Sequence, residues 1–442
     1  GYVSAILSAF KDVDLRKKIL FTIAMIILYR IGAQIPSPGI NYASISGRLR
    51  ELTQDQSSVY SLINLFSGGA LLQLSIFAIG IMPYITASII VQLLTVVIPH
   101  FEELKKEGQS GQTKMTQYTR YLTVGLALLQ ASGIVALADR GQLLGGGVEV
   151  LKHDRNIFDL VVLVLSMTAG AVLVMWIGEM MTEKGIGNGM SLLIFAGIAT
   201  RLPTDGISIL TRSGGVLFAA VMAAVVVLVV GVVFIEQGQR RIPVQYAKRM
   251  VGRRQYGGTS TYLPLKVNQA GVIPVIFASS LIYVPVLITQ IVQSGSTQPS
   301  DNWWQRNVIQ YLQTPSSWQY IVLYFVLIIF FSYFYVSVQY DPNEQADNMK
   351  KYGGFIPGIR PGRPTAQYLG YVMNRLLFVG ALYLGVIAVL PNIMLELGVS
   401  ASSSSSTPFG GTAILILVSV ALTTVKQIES QLLQSNYEGF LK

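Results

Sequence analysis

From Gln56 to Phe101 the chain runs 46 residues without an Asp, Glu, Lys or Arg, and Ser67-Gly68-Gly69 interrupts the run. One membrane-crossing helix takes only ~20 apolar residues, so the stretch holds more than one element. The glycine pair divides it into a short amphiphilic piece over 60–72 and a full span over 74–98. A partial helix entering a bilayer from one side persists only where protein or a water-filled cavity surrounds it, because lipid cannot satisfy its backbone polar groups. The pattern points to a pore with an element seated in its mouth.

Composition fixes the class. Hydrophobic residues make up 52% and charged residues 12% of the 442, against about 25% charged in a soluble domain. The chain reads as a polytopic membrane protein. It has no Cys, which excludes disulfides, thiol catalysis and thiolate metal sites. His100 and His153 are its only histidines, too few and too far apart in sequence for a histidine-based metal site. The first apolar run, 19–36, is too long for a cleavable signal and lacks a small-residue cleavage site, so it reads as a retained span.

Apolar runs predict ten spans: 19–36, 74–98, 121–138, 157–178 and 186–200, then 214–235, 270–293, 318–340, 371–391 and 409–425. If the N-terminus and the loops after even-numbered spans share one side, that side holds 23 of the 32 Lys+Arg and 13 of the 22 Asp+Glu. The whole +10 excess then lies on one face, which the positive-inside rule assigns to the cytoplasm, with both termini.

Five spans per half is an odd number, so the halves enter the membrane in opposite directions, the condition for an inverted repeat with a functional site between its halves. Gly80-Ile-Met-Pro83-Tyr-Ile85-Thr-Ala87-Ser88 in the second span echoes Gly271-Val-Ile-Pro274-Val-Ile276-Phe-Ala278-Ser279 in the seventh, with five of nine positions identical. Common membrane-helix residues could produce the same echo by composition alone. Pro83 and Pro274 each remove a helix hydrogen bond and are expected to kink or loosen their helices, which makes the pair a candidate gate.

The expected architecture is all-α, two five-helix halves plus a short re-entrant helix. Residues 1–18 read as an amphipathic segment, 19–213 and 214–428 as the halves, 236–268 and 339–370 as polar loops, 429–442 as a tail, and the Ser-rich stretch 401–407 as a flexible linker. A coupled transporter carries an ionisable residue deep in a span. Here Arg30, Arg120, Asp159, Glu179, Arg375 and Lys426 fall toward span ends, with Arg30 deepest. No HExxH motif is present, and Gly185-Ile-Gly187-Asn-Gly189 lacks the Lys-Ser/Thr of a phosphate cradle, so a tight turn is its reading.

Motifs in a fixed order carry a resemblance. They are Asn64-Leu65-Phe66-Ser67-Gly68-Gly69-Ala70, Gly80–Ser88, Lys106-Glu-Gly108, Gln117-Tyr-Thr-Arg-Tyr121 and Gly185-Ile-Gly-Asn-Gly-Met190. Gln237-Gly-Gln-Arg-Arg241, Leu263-Pro-Leu-Lys-Val-Asn268, Gly271-Val-Ile-Pro274 and Pro357-Gly-Ile-Arg-Pro-Gly362 follow. Over nearly its whole length the chain resembles the bacterial SecY family, the central subunit of the Sec protein-conducting channel, with loops closest in wording to actinobacterial members.

That resemblance implies a clamshell around an hourglass pore in the plasma membrane. It makes 60–75, including Asn64, Leu65, Phe66, Ser67, Gly68, Gly69 and Ala70, a plug; a re-entrant helix of purely structural duty is the alternative. It implies a pore ring of Ile81, Ile85, Met190, Ile194, Ile276 and Ile416, although Met190 departs from the usual branched aliphatic. A narrow apolar ring excludes water and hydrated ions by dewetting. Lipid or helix packing is the ordinary role of such side chains. The implied lateral gate lies between the second and third spans and the seventh and eighth, with a polar cluster of Gln92, Gln130 and Asn268 beside Pro83 and Pro274. Amides across membrane helices contribute about 1 kcal/mol each, and plain helix-helix adhesion is the competing role.

The loop over 236–268 gathers Arg240, Arg241, Lys248, Arg249, Arg253, Arg254 and Lys266 against one acid, Glu236, with Tyr246 and Tyr256 interleaved. Orientation and contact with anionic membrane lipid account for several of these charges. A long basic loop also suits ribosomal RNA or an acidic motor surface. By the resemblance, this loop and 350–363 dock the SecA ATPase and the ribosome through Arg253, Arg254 and Arg360. Membrane subunits similar to SecE and SecG are also implied, with a translocating polypeptide and its signal sequence as cargo. No cofactor and no metal are expected. A secondary transporter and a pore-less scaffold are the rivals from other classes.

Overall fold

The computed structural model describes residues 13–35, 77, 80–106, 109–139, 157–185, 189, 191–197, 199, 219, 222–223, 226–246, 249–251, 254–256, 260–267, 273–275, 277–278, 281, 318–340, 342–396, 417–418, 420–422, 424–426 and 428. It is mostly helical. Helix α1 spans Val13–Gln34, α2 Met82–Val97, α3 Pro99–Lys106, α4 Gln109–Asp139 and α5 Ile157–Lys184. Further along lie α6 (Val226–Gln237), α7 (Trp318–Gln339), α8 (Pro342–Lys351) and α9 (Arg363–Glu396). Among the described residues, the helical runs Ile157–Lys184, Ile321–Lys351 and Arg363–Val389 are long and apolar enough to cross a bilayer.

Helix α2 packs on α4, α4 on α5, and α5 on α1, while α7 packs on α9. One buried apolar cluster runs through these contacts, joining Tyr29 of α1, Ile89 of α2, Ala127 of α4, Val174 of α5, Ile328 of α7 and Leu377 of α9. Hydroxyls in the core are satisfied within their own helices. Thr123 donates to the Thr119 carbonyl at 2.6 Å, Thr168 to Val164 at 2.8 Å and Ser332 to Ile328 at 2.8 Å. This leaves the outward faces apolar, so Leu165, Val326 and Phe378 are exposed where lipid belongs.

Hydropathy predicts a helix over 74–98, but α2 begins only at Met82. Before it the chain turns: Gly80 sits at φ 66°, and its N–H donates to the Phe77 carbonyl at 2.9 Å. Glycine takes that left-handed conformation without the steric cost a Cβ adds. Pro83 then falls in the first turn of α2, where a missing N–H leaves no intrahelical bond unmade. The kink expected at Pro83 is therefore absent; the proline starts the helix instead of bending it. Helices α4 and α9 extend well beyond the predicted spans 121–138 and 371–391, because their first turns are polar and stand outside the apolar layer.

The polar loops are not plain loops. Strands β1 (Gln239–Tyr246), β2 (Arg249–Val251), β3 (Arg254–Tyr256), β4 (Ser260–Lys266) and β5 (Gly354–Phe355) fold from them. Strand β1 pairs antiparallel with β4 from Gln239↔Lys266 to Gln245↔Ser260, and with β5 at Gln245↔Phe355 and Tyr246↔Gly354. The order β4-β1-β5 joins loops lying about a hundred residues apart in sequence. Pro243 is tolerated because β5 covers only the last residues of β1, leaving that stretch as an edge.

Candidate pore and docking surface

The turn at Gly80 positions two of the expected ring residues. Ile81 precedes the first helical residue of α2, and Ile85, one turn on, donates its N–H to the Ile81 carbonyl at 3.0 Å. Both are buried, at 1% and 0% exposure, as is Ile194 at 0%. The three fall in one apolar cluster together with Val275, Phe277 and Ala278, the residues that flank position 276. Met190, Ile276 and Ile416 lie outside the described residues, as do residues 64–70 of the expected plug. Phe77 stacks on Tyr29 of α1 with ring centroids 5.8 Å apart and seats against Gly32.

Upstream of Ile194 the backbone makes a close approach to α5. The Gly189 N–H donates to Thr182 Oγ1 at 2.8 Å, and Thr182 Oγ1 donates to the Gly178 carbonyl at 2.9 Å. A Cβ on Gly189 would collide with that same carbonyl of α5. Gly189 is thus packed directly on α5, two residues before the described stretch 191–197.

Of the expected gate residues, Gln130 is buried on α4, Pro83 on α2 and Pro274 beside Val275. Gln92 is half-buried on α2, and its Oε1 accepts no hydrogen bond among the described residues. Asn268 lies outside them. Near the expected gate, Phe277 meets Phe331 of α7 edge-on, 5.9 Å between centroids.

The charged surface has two parts. Arg240 and Arg241 project from β1, exposed, while Ile242 and Val244 on the alternate residues turn inward. Ile242, Leu265 and Ile356 belong to the same buried cluster as the membrane helices, so the sheet is seated on them. Beyond it, β2 and β3 pair from Arg249↔Tyr256 to Val251↔Arg254, with Gly252 and Arg253 between the strands. The side chains of Arg249 and Arg254, and all of Lys248 and Arg253, lie outside the described residues. Arg360 is exposed in a turn bracketed by Gly353, Gly358 and Gly362 at φ 76°, 83° and 98°, and Thr365 Oγ1 donates to its carbonyl at 2.6 Å. At the root of the sheet, burial and then Lys426 push the Lys266 ammonium below its ordinary pKa, opposed by Glu236.

One pair has no signal in the local sequence. Arg120 Nε donates to both carboxylate oxygens of Glu179 at 3.0 Å, and Nη2 approaches Oε2 at 2.9 Å, joining α4 to α5. Fifty-nine residues separate the partners. The hydrogen bonds to Glu179 hold the Arg120 guanidinium even more firmly protonated than usual.

An apolar cluster at a helix break, with basic strands on one face, matches a known family. The family model for SecY covers residues 75–425. The chain is 86% identical over 440 residues to protein translocase subunit SecY of Corynebacterium glutamicum, and 65% identical over 441 to that of Mycobacterium tuberculosis, each spanning all of both chains. The chain belongs to the SecY family. It is a channel subunit of a protein translocase and not an enzyme. The fold agrees with a solved protein-conducting channel at TM-score 0.65 and 18% identity, covering 93% of this chain and 91% of that one. It agrees with Sec61 from a canine ribosome-channel complex at TM-score 0.62 and 17% identity, covering 93% and 91%.

Proposed function

We propose that this SecY-family chain is a gated channel of ten spans in two inverted halves, passing secretory polypeptides through the ring and releasing hydrophobic segments sideways into the bilayer. The observation that carries this is the burial of Ile81, Ile85 and Ile194 in one cluster with the neighbours of Ile276. Aliphatic side chains contributed by separate segments of the chain can line a seal that excludes hydrated ions and deforms around a passing chain. Residues 60–75 close this seal, and Gln92, Gln130 and Asn268 form the amide contacts that part when a signal sequence intercalates. Met190 and Ile416 complete the ring. Pro83 contributes to the gate as the start of α2, and Pro274 as a weakened point in the seventh span.

Both termini face the cytoplasm in this reading, and the β1–β5 platform is the docking face. Its pairing joins the loop of Arg240 and Arg241 to the loop of Arg360, so a partner that grips one loads the other. Arg240, Arg241, Lys248, Arg249, Arg253, Arg254 and Arg360 present to SecA or to ribosomal RNA, with anionic lipid beneath them, and membrane subunits similar to SecE and SecG flank the spans. Solved relatives include Sec61 in a ribosome-channel complex and a yeast Ssh1 complex bound to the 80S ribosome.

Crosslinking a stalled secretory chain to probes at 85, 194 and 276 tests the ring. Labelling of all three is expected, and labelling restricted to lipid-facing positions would overturn it. Removing 62–72 should raise the resting ion conductance of the bilayer-inserted channel; an unchanged conductance removes the plug.

A further inference from the structure

Where α7 ends and α9 passes it, the two helices part around a groove of about 560 Å³. Phe330, Phe334, Tyr340, Gly370 and Leu377 line it, together with Asn374. Residue 370, on the groove wall, has no side chain. A Cβ there would meet only Pro342 Cγ at 3.7 Å, an ordinary contact, and Gly370 is not among the glycines at positive φ. Neither backbone conformation nor close packing requires glycine, so what a side chain at this position would take up is the groove itself.

The opening faces the bilayer. Phe330 on one rim is 54% exposed, and Phe378, next to the lining residue Leu377, is 56% exposed. The polar groups gather at one end, where α7 gives way to the hydrophilic α8. There the Tyr340 hydroxyl is buried and makes no hydrogen bond among the described residues, while the Ser337 hydroxyl donates to the Phe334 carbonyl at 2.7 Å. No lining residue is charged. The nearby Arg375 stacks over Tyr371 at 4.6 Å, another part of α9. A mainly apolar trough with an unpaired hydroxyl donor at the Tyr340 end fits an amphiphile whose chain is apolar and whose first polar atom is an acceptor. Water finds too few partners along aromatic walls to fill such a space, and acyl chains are the abundant apolar species at this depth.

We infer that the groove holds one acyl chain of a diacyl phospholipid, whose ester carbonyl accepts from Tyr340 Oη once that side chain swings into the groove. Because the lining is uncharged, selection is for the chain and ester, not for the headgroup charge.

The test uses the whole translocase complex in vesicles of phosphatidylethanolamine and phosphatidylglycerol, doped with a phospholipid bearing a diazirine on one acyl chain. Photolabel mapped by mass spectrometry is expected to concentrate on residues 330–340 and 370–377. Gly370→Leu, which narrows the trough beside Pro342, should lower that label on the order of tenfold, and Tyr340→Phe about fivefold, the scale of one lost hydrogen bond. Gly370→Ala gives a smaller loss and serves if the leucine variant does not fold, as judged by its thermal midpoint. Labelling spread evenly over the outward faces of α5 and α9, or unchanged by every substitution, would overturn the site. So would label that follows only a phosphatidylglycerol-based probe, since that places the contact at the basic loops.

Discussion

The Arg120–Glu179 pair is a strong polar link between α4, which carries Gln130, and α5, whose Gly178 carbonyl lies against Gly189. Its worth can be worked from geometry. Two hydrogen bonds between charged groups would contribute about 3–6 kcal/mol if fully shielded. Glu179 is well shielded at 17% side-chain exposure, but Arg120 is 40% exposed, so solvent screens much of the gain. A coupling of about 1–2 kcal/mol is the reasoned value, above the ~0.5 kcal/mol of an exposed helix pair and below that of a buried one. The assay is a double-mutant cycle with Arg120→Gln, Glu179→Gln and the double variant, reading unfolding free energy in mild detergent. The same set is then scored for export. The double variant should be less destabilised than the sum of the singles by that amount, and the swap Arg120→Glu with Glu179→Arg should recover part of the lost export. A coupling indistinguishable from zero would mean that solvent screens the pair fully and that α4 and α5 are joined by apolar contact alone.

Other substitutions probe the turns that set the ring. Gly80→Ala forces a Cβ into a left-handed position and should cost about 1–2 kcal/mol, read as a lower thermal midpoint; an unchanged midpoint would show that the turn relaxes freely. Gly189→Ala drives a methyl into the Gly178 carbonyl and should shift residues 191–197, so crosslinking from a probe at 194 to a stalled chain should fall while synthesis of the protein persists. Undiminished crosslinking would separate the Gly178–Gly189 contact from the placement of Ile194. Arg360→Glu should reduce SecA-driven export on the order of tenfold without moving the thermal midpoint, because the side chain is exposed. Equal export would remove Arg360 from the docking face.

The sequence announces those features that lipid enforces one short segment at a time. Apolar runs and the one-sided excess of Lys+Arg are read locally, so the class of fold follows from them. The break before α2 was also readable: Gly80 with Pro83 in the next turn is a helix start, although hydropathy alone runs through it because Phe77, Ile79 and Ile81 are apolar. Strand β1 had its own signal, Ile242 and Val244 alternating with Arg241, Pro243 and Gln245, which a count of charges passes over. The Arg120–Glu179 bridge and the β1–β5 pairing have no such local mark. Each joins residues far apart in the chain, and only the packed fold brings them together. The consequence for mechanism is specific. The loop of Arg240 and Arg241 and the loop of Arg360 are joined through one sheet, that sheet rests through Ile242, Leu265 and Ile356 on the cluster that contains Ile85 and Ile194, and β4 ends at Lys266, only two residues before Asn268 of the expected gate. On the proposed function, force applied at the sheet has only a short path along the chain to Asn268. Cutting that path without touching either end, by replacing Gly354 with Val so that it presses on the Tyr246 ring and loosens β5 from β1, should leave SecA binding intact and slow export; export at the parental rate would show that the two loops act separately.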